Sequence, residues 1–230
     1  YSDIYSHSAE IRSVSEDASK PTRTLSIRIV TPTNLLSNNQ ILVNVPNVRK
    51  AVPLFILMRA LGVVSDKEII NMCLLDMEKY GHYIDLFIPS IHDAGRIFSQ
   101  ETALEYIKTF TKGKTTNHVL EILMNYFLPN IGETNFRDKA FFVGYMVLEL
   151  LKVFTKEKKA TDRDSFKFKR VELPGALLYD LFKEYYSLHQ KHIFQKIDKE
   201  YYYKEGTYQN NFLALIEPNQ REIFKERITE

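Results

Sequence analysis

Alternating apolar and polar residues near the N-terminus predict a small β-sheet. Apolar side chains occupy every second position over residues 25–29 and again over residues 41–45. Because successive side chains of a strand point to opposite faces, this period of two predicts two half-buried strands. Turn-forming residues at 31–34 and 37–39 separate them, which predicts a hairpin with a long tip. Residues 10–14 are a candidate third strand, and so small a sheet must pack on helices to be stable.

From Pro53 onward, the spacing of apolar residues changes to that of helices. Pro53 suits the first position of a helix, and Gly62 suits the position just after its end. Ser65 and Glu68 have the spacing of a capping box at the start of a second helix. The apolar stripe predicted for that helix consists of Ile69, Ile70, Cys73, Leu74 and Met77.

Four more helices are predicted further along the chain. Ser99 is predicted to cap a helix that carries Leu104 and Ile107, and another helix ends before Pro129. Residues 138–154 are apolar nearly all round, which predicts a central buried helix. A last, long amphipathic helix is predicted from Leu177, Leu178, Leu181, Phe182, Tyr185, Leu188 and Ile193. The predicted fold class is α+β, with a small antiparallel N-terminal sheet packed on a mostly helical body.

Composition adds a few restrictions. The 230-residue chain carries 31 Lys and Arg against 29 Asp and Glu, and its net charge is +2. Its single cysteine, Cys73, excludes a disulfide framework and a cysteine-based zinc site, and favours a reducing compartment. The longest apolar run, residues 140–148, is far shorter than the roughly 20 residues that cross a bilayer, so no membrane partner is expected. The chain starts at Tyr1 without a visible signal peptide, so we expect a piece of a longer protein.

Charge is concentrated in the connection before the last helix. Its cations are Lys152, Lys156, Lys158, Lys159, Arg163, Lys167, Lys169 and Arg170. Such a patch on a near-neutral chain is typical of a local contact with a polyanion, and the alternative is a solvated loop. Asp162 and Asp164 could hold Mg²⁺ as adjacent carboxylates. The cations around them favour an ion-pair network, which leaves Lys169 and Arg170 to meet phosphate.

Residues 161–178 resemble a loop of the second-largest, β-type, subunit of multisubunit DNA-directed RNA polymerases. The family pattern there is roughly Asp-Asp-Arg-Asp-His-x-x-x-Lys-Arg-Leu-x-Leu-Ala-Gly-x-Leu-Leu. The positions that agree are Asp162, Arg163, Asp164, Lys169, Arg170, Leu173, Gly175, Leu177 and Leu178. Thr161, Ser165 and Lys167 stand where the family has Asp, His and usually Gly. These departures affect the local backbone and any contact with a base.

Four other segments resemble the same family, in the same order along the chain. They are residues 8–13, 52–62, 127–132 and 139–146. The resemblance covers about residues 6–190. Agreement of five segments in order identifies the chain as similar to the lobe region of that subunit.

The resemblance implies a lobe domain in residues 1–160, with its sheet at about 8–46 and its helical body at about 53–155. Residues 161–230 would hold the charged loop and the returning helical part of the protrusion domain. The parent enzyme would be a nucleotidyltransferase whose catalytic Asp triad and Mg²⁺ lie in the largest subunit. No catalytic residue, metal ligand or cofactor is therefore expected in this segment.

The resemblance also implies partners and a site. The expected partners are other polymerase subunits including the largest subunit, DNA in the cleft, and general transcription factors, in an intracellular compartment such as the nucleus. Asp164, Lys169 and Arg170 are implied to lie near the non-template strand, with Asp162 and Arg163 as a supporting ion-pair loop.

Origin and alternative functions stay open from the sequence. Composition rich in Lys, Asn, Ile and Tyr suggests a large DNA virus, which would place the protein in a cytoplasmic virus factory or virion. One alternative function is a free-standing helical protein-interaction module. Another is a small metal-dependent nuclease that uses Asp162 and Asp164.

Overall fold

The computed structural model describes residues 5–14, 22–31, 39–162, 164–169, 171 and 173–203. The chain divides into two compact units, Tyr1–Thr161 and Asp162–Glu230. This division falls beside the predicted boundary, whereas the assignment of the two parts to lobe and protrusion stays a prediction. Among the described residues, no helix combines the length and the apolar character needed to cross a bilayer.

The first unit begins with a four-stranded sheet. Its strands are β1 (Tyr5–Ser13), β2 (Arg23–Val30), β3 (Ile41–Asn44) and β4 (Val52–Pro53). They pair in the order β1-β2-β3-β4, and every pair is antiparallel. Ile27 lies opposite Val43, and Ile29 lies opposite Ile41, so the predicted pairing of these two strands is confirmed. Residues 32–38 of the predicted tip lie outside the described residues. The candidate third strand is confirmed as β1, which begins earlier than the pattern indicated.

Helices form most of the remaining described part of the first unit. They are α1 (Leu54–Ala60), α2 (Asp66–Leu74), α3 (Met77–Tyr80), α4 (Ile88–Ala94), α5 (Gln100–Lys108), α6 (Thr116–Asn125) and α7 (Phe136–Phe154), with 3-10 turns at Gly81–Phe87 and Pro129–Ile131. α7 packs on α2 and on strands β1 and β2, and α1 is buried between β3, β4, α4 and α5. Gly144 permits the approach of α7 to α2, since a Cβ there would lie 2.6 Å from the carbonyl oxygen of Met72. The predicted α+β class is confirmed.

Two helix ends follow the local sequence as predicted. Gly62 lies after α1 with a φ of +98°, a conformation that favours glycine. The Ser99 hydroxyl accepts a 3.2 Å hydrogen bond from the backbone N–H of Thr102 at the start of α5. Pro53 lies one position earlier than predicted, because it precedes α1 as the N-cap and also ends β4.

The capping box predicted at the start of α2 is wrong. Ser65 is the N-cap residue, but its side chain makes no capping hydrogen bond to any described residue. Glu68 instead meets Arg137 of α7, with 3.2 Å between Nη2 and Oε1. Asp66 pairs with the buried guanidinium of Arg59. Ion pairs to other elements have replaced the local contacts that the spacing indicated.

The apolar stripe predicted for α2 extends too far. Leu75 has a φ of +60°, and the Asp76 carboxylate accepts backbone hydrogen bonds from Glu78 at 3.0 Å and Lys79 at 3.1 Å, so a new helix begins there. Met77 is 41% exposed on this separate helix, and its inclusion in the stripe was wrong. The buried members of the stripe are Ile69, Cys73 and Leu74.

α7 is confirmed as a long central helix, but it is not buried all round. Phe141 and Tyr145, one turn apart, are about half exposed, because α2 and the sheet cover only part of the helix. Lys139 is fully buried, and its Nζ donates to the carbonyl oxygens of Leu123 at 2.6 Å and Met124 at 3.1 Å. These carbonyls belong to the last turn of α6, where helical partners are lacking. The lysine therefore completes the end of another helix.

The second unit contains a short 3-10 turn at Phe166–Phe168 and the helix α8 (Pro174–Tyr203). The predicted long helix is thus confirmed. Its exposed large apolar side chains include Leu177, Leu178, Leu181, Phe182, Tyr185, Tyr186 and Phe194. α8 therefore presents extensive apolar surface.

Candidate nucleic-acid interface

Asp162 organises the start of the charged loop through its contacts with the backbone. Its carboxylate accepts a 2.9 Å hydrogen bond from the N–H of Asp164, and its carbonyl oxygen accepts a 3.3 Å bond from the N–H of Ser165. An Asp that bonds the backbone two residues later is a common way to fix a turn. Asp162 therefore shapes the loop through one carboxylate oxygen and its backbone carbonyl.

Asp164 and Lys169 approach each other across the loop. Their Oδ1 and Nζ atoms are 3.7 Å apart, and the Asp164 side chain is 90% exposed. An ion pair in such contact with water contributes about 0–1 kcal/mol. Lys169 is consequently free to exchange this partner for a phosphate. The structure thus brings together two of the predicted site residues, whereas Arg163 and Arg170 lie outside the described residues and their roles stay predictions.

Two exposed aromatic residues, Phe166 and Phe168, lie between Asp164 and Lys169 in the sequence. The sequence pattern did not single them out as site candidates. Phe166 is 82% exposed and Phe168 is 57% exposed, on the 3-10 turn that Ser165 caps through a 3.4 Å bond from the N–H of Lys167. Lys167 Nζ lies 5.7 Å from the centre of the Phe168 ring. Exposed rings beside cations can stack on bases while the cations meet the backbone. The alternation Phe-Lys-Phe-Lys was the available signal.

Among the described residues, one ion pair of the predicted network is present, and it joins Asp164 to Lys169. Asp162 is engaged with the backbone and Asp164 with Lys169. In the part of the chain that the structure describes, no three His, Cys, Asp or Glu side chains cluster as a metal ion would require. Burial raises the pKa of Cys73 to about 12, so its thiol is not a reactive nucleophile at neutral pH.

The lysines nearest α7 behave differently from those of the loop. Lys152 donates to Glu149 at 2.9 Å and lies over the ring of Tyr80, and Lys158 bonds the other carboxylate oxygen of Glu149. Hydrogen bonds from Lys158 and then Lys152 lower the pKa of Glu149, and the bond to Glu149 raises the pKa of Lys152. Hydrogen bonds from Tyr83 and His82 lower the pKa of Glu157. Two cations of the predicted patch are therefore held by ion pairs.

Comparison with known proteins gives a family match over most of the described fold. Residues 24–172 match the family model for RNA polymerase Rpb2, domain 2, which includes the charged loop up to the start of α8. This match agrees with the resemblance found in the sequence.

Individual relatives agree with the family match. The chain is 37% identical over 187 residues to the DNA-directed RNA polymerase II subunit RPB2 of Encephalitozoon cuniculi, covering 78% of this chain and 16% of that protein. It is 32% identical over 190 residues to subunit 2 of Arabidopsis thaliana RNA polymerase II, covering 78% and 16%. It is also 32% identical over 190 residues to subunit Rpo2N of Methanocaldococcus jannaschii, covering 80% and 36%. The chain thus spans well under half the length of each.

These relatives are eukaryotic and archaeal. The predicted viral origin therefore receives no support from them.

Proposed function

Because the chain belongs to the family RNA polymerase Rpb2, domain 2, the lobe region of the second-largest subunit, we propose that it serves as the non-catalytic lobe of a DNA-directed RNA polymerase. In that role it lines the DNA cleft and offers a docking surface for general transcription factors. Mg²⁺ and the catalytic carboxylates belong to the largest subunit, and the assembled enzyme works inside the cell. The observation that carries the proposal is the family match over residues 24–172.

The charged loop supports a contact with nucleic acid in the cleft. Lys167 and Lys169 are exposed, and the weak pair with Asp164 leaves Lys169 able to meet a phosphate. Lysine binds phosphate as a point charge without reading bases, and such binding weakens as salt rises. Phe166 and Phe168 add surfaces for stacking on an unpaired strand. The combination suits DNA that is opened within the enzyme.

The outer face of α7 supports protein docking. Phe141 and Tyr145 expose about half of their surface, and the Tyr145 ring lies 6.2 Å from that of Phe142. Aromatic side chains are enriched at the energetic centres of protein interfaces. This face is therefore the surface that we assign to a transcription factor. A free-standing interaction module would use the same face without any contact with DNA, and the experiment below separates the two functions.

The test is reconstitution of the polymerase with Lys169→Ala/Arg170→Ala in its second-largest subunit. The lifetime of the open complex is measured over a series of salt concentrations. We expect a shorter lifetime and a log–log salt slope that is shallower by about 2, one unit for each phosphate that the variant no longer neutralises. The control, Arg12→Ala/Lys67→Ala, removes the same charge from exposed positions of the first unit and should behave as wild type.

Two outcomes would contradict parts of the proposal. If the loop variant shows wild-type open-complex lifetimes and salt slopes, the loop serves only as a connection between domains. Failure of the wild-type segment to assemble into any active polymerase would favour the free-standing module.

A further inference from the structure

The sheet of the first unit has two edges, and they differ in how well they are protected. β4 contains two residues and ends at Pro53, which lacks a backbone N–H. On the same side of the sheet, the backbone N–H of Ile41 donates to the hydroxyl of the buried Ser90 at 3.0 Å. β1, at the opposite edge, runs for nine residues and contains neither Pro nor Lys, two residues that commonly block an edge strand. Its pairing with β2 is irregular only between Tyr5 and His7. β1 is therefore a long edge with little protection against a further strand.

The hydrogen bonding of β2 determines which backbone groups of β1 face this edge. In antiparallel sheets, residues that bond the strand on one side alternate with residues that bond the strand on the other side. The N–H of Val30 donates to the carbonyl oxygen of Gln40 at 3.0 Å, on the β3 side of β2, so Ile27 directs its backbone groups to β1 instead. Because Ile27 lies opposite Ala9, Ala9 bonds β2. The residues on either side of Ala9 therefore direct their N–H and C=O groups away from the sheet.

These two residues are Ser8 and Glu10, and both are exposed. Within the described ranges, no hydrogen bond joins their backbone groups to another element. Buried or paired backbone groups are the rule in sheets, and an extended polypeptide is the partner that matches a row of alternating donors and acceptors. The backbone itself thus specifies what kind of ligand this edge can take.

The core beside β1 is also incomplete. Ala9 and Ile11 pack against the core but remain partly exposed, whereas Ile27 and Leu25, which lie opposite them on β2, are fully buried. Side chains of adjacent strands on one face lie side by side. A strand added to the edge would therefore cover Ala9 and Ile11 with apolar side chains at alternate positions, and its other side chains would lie beside the polar Ser8 and Glu10.

The family match indicates where such a strand comes from. The match begins at residue 24, near the start of β2, so β1 precedes the matched domain although it belongs to the same sheet. The chain covers only 16% of its Encephalitozoon cuniculi relative, and strands that follow each other in sequence are neighbours in about two-thirds of cases. We propose that the part of the subunit preceding β1 supplies an extended segment that pairs with the edge of β1. The inference rests on the proposed function for the identity of that longer subunit.

In this arrangement β1 is shared by two parts of the subunit. A continuous sheet would then join the lobe to the polypeptide before it, in place of a flexible linker.

The test compares amide hydrogen exchange at single residues in the 230-residue chain and in the isolated full-length subunit. In the 230-residue chain, the amides of Ala9 and Ile11 should be protected, and those of Ser8 and Glu10 should exchange freely. In the full-length subunit, exchange at Ser8 and Glu10 should slow by about tenfold or more. Neither DNA nor the other subunits are needed, so this result is independent of the reconstitution that tests the proposed function.

A matched pair of proline variants sharpens the comparison. Ser8→Pro removes an N–H that faces the edge, where proline is tolerated, so the 230-residue chain should keep its protection at Ile11. In the full-length subunit, the same variant should raise exchange at Glu10 to the rate in the 230-residue chain. The control, Ala9→Pro, removes an N–H that bonds β2 and should raise exchange at Ile11 in both proteins. Thermal unfolding establishes that each variant is folded, and the wild-type comparison remains valid without them.

The source of the added strand is identified by crosslinking. A photoreactive amino acid replaces Ser8 in the full-length subunit, and mass spectrometry identifies the crosslinked peptide. We expect a peptide from the part of the subunit that precedes β1.

Three results would overturn the proposal. Protection of Ser8 and Glu10 in the 230-residue chain would mean that the chain covers its own edge. Free exchange of both amides in the full-length subunit would mean that no strand is added. Protection that appears only in the assembled polymerase, with crosslinks to another polypeptide, would assign the edge to a different subunit or factor.

Discussion

The two ends of one lysine-rich stretch show how similar residues acquire different roles. At the end of α7, Glu149 accepts bonds from both Lys152 and Lys158, and Lys152 also lies over Tyr80. In the charged loop, the only described ion pair spans 3.7 Å and leaves Asp164 almost wholly exposed. Partly buried, multiply bonded charges stabilise a fold, whereas exposed and weakly paired charges remain available to a ligand. The two regions therefore separate charges that hold the fold from charges that remain available to a ligand.

The largest effect is expected at Lys139, a buried charge that stabilises the fold. Lys139→Met keeps most of the side-chain volume but leaves the carbonyls of Leu123 and Met124 without their donor. We expect the free energy of unfolding to fall by about 3 kcal/mol, because buried acceptors lose charged hydrogen bonds. Urea unfolding measures the loss. The exposed Lys67→Met is the control, with an expected change within about 0.5 kcal/mol.

The next effect concerns binding by the exposed loop. Phe166→Ala/Phe168→Ala should weaken binding of a single-stranded oligonucleotide by about 1 kcal/mol or more for each ring that stacks on a base. Stability should hardly change, because both rings are exposed. Fluorescence titration gives the affinity. Equal weakening by Phe98→Ala/Phe141→Ala, which removes two exposed rings of the first unit, would show that the position of the rings is irrelevant.

A smaller effect on stability is expected when the carboxylates of Glu149 and Asp164 are neutralised one at a time. Glu149→Gln removes the charge that both Lys152 and Lys158 bind, so we expect a loss of about 1 kcal/mol in the free energy of unfolding. Asp164→Asn, the matched change in the loop, should alter it by less than about 0.5 kcal/mol. Thermal or urea unfolding of the two variants makes the comparison. Equal effects would remove the distinction between the two regions.

The contribution of Glu149 to the free energy of unfolding should also depend on pH. The pKa of Glu149 is lowered in the folded chain by Lys158 and Lys152 from an ordinary value of 4.5. Its stabilising effect is therefore fully present above pH 4.5 and is lost as the pH falls through the lower pKa of the folded state. Unfolding measured over an acid pH series should show a shallower decline for Glu149→Gln than for wild type. Parallel declines would mean that this carboxyl does not contribute.

The sequence predicted the features that neighbouring residues decide. The β2–β3 hairpin, the turn at Gly62 and the cap at Ser99 depend on patterns and backbone preferences within a few residues. The charged loop was found in the same way, from the resemblance of consecutive residues. Of the ion-pair network predicted there, the described residues contain one exposed pair, between Asp164 and Lys169.

Features decided by distant residues were missed. Glu68 pairs with Arg137, 69 positions away, instead of capping α2. Lys139 is buried and donates a hydrogen bond to a carbonyl oxygen in the last turn of α6. Neither pairing is visible in a local window. The exposure of Phe166 and Phe168 was missed because apolar residues are expected inside, and only a structure shows which of them remain outside.

The most direct test of the central claim is photo-crosslinking within a reconstituted polymerase–DNA complex. Phe168 is replaced by a photoreactive phenylalanine analogue, which keeps an aromatic ring at the position, and Phe141 is replaced in the same way as a matched control. The account predicts that position 168 crosslinks to the DNA strand opened in the cleft, and that position 141 crosslinks to protein. Crosslinks from position 168 to protein alone would contradict a nucleic-acid contact by the charged loop.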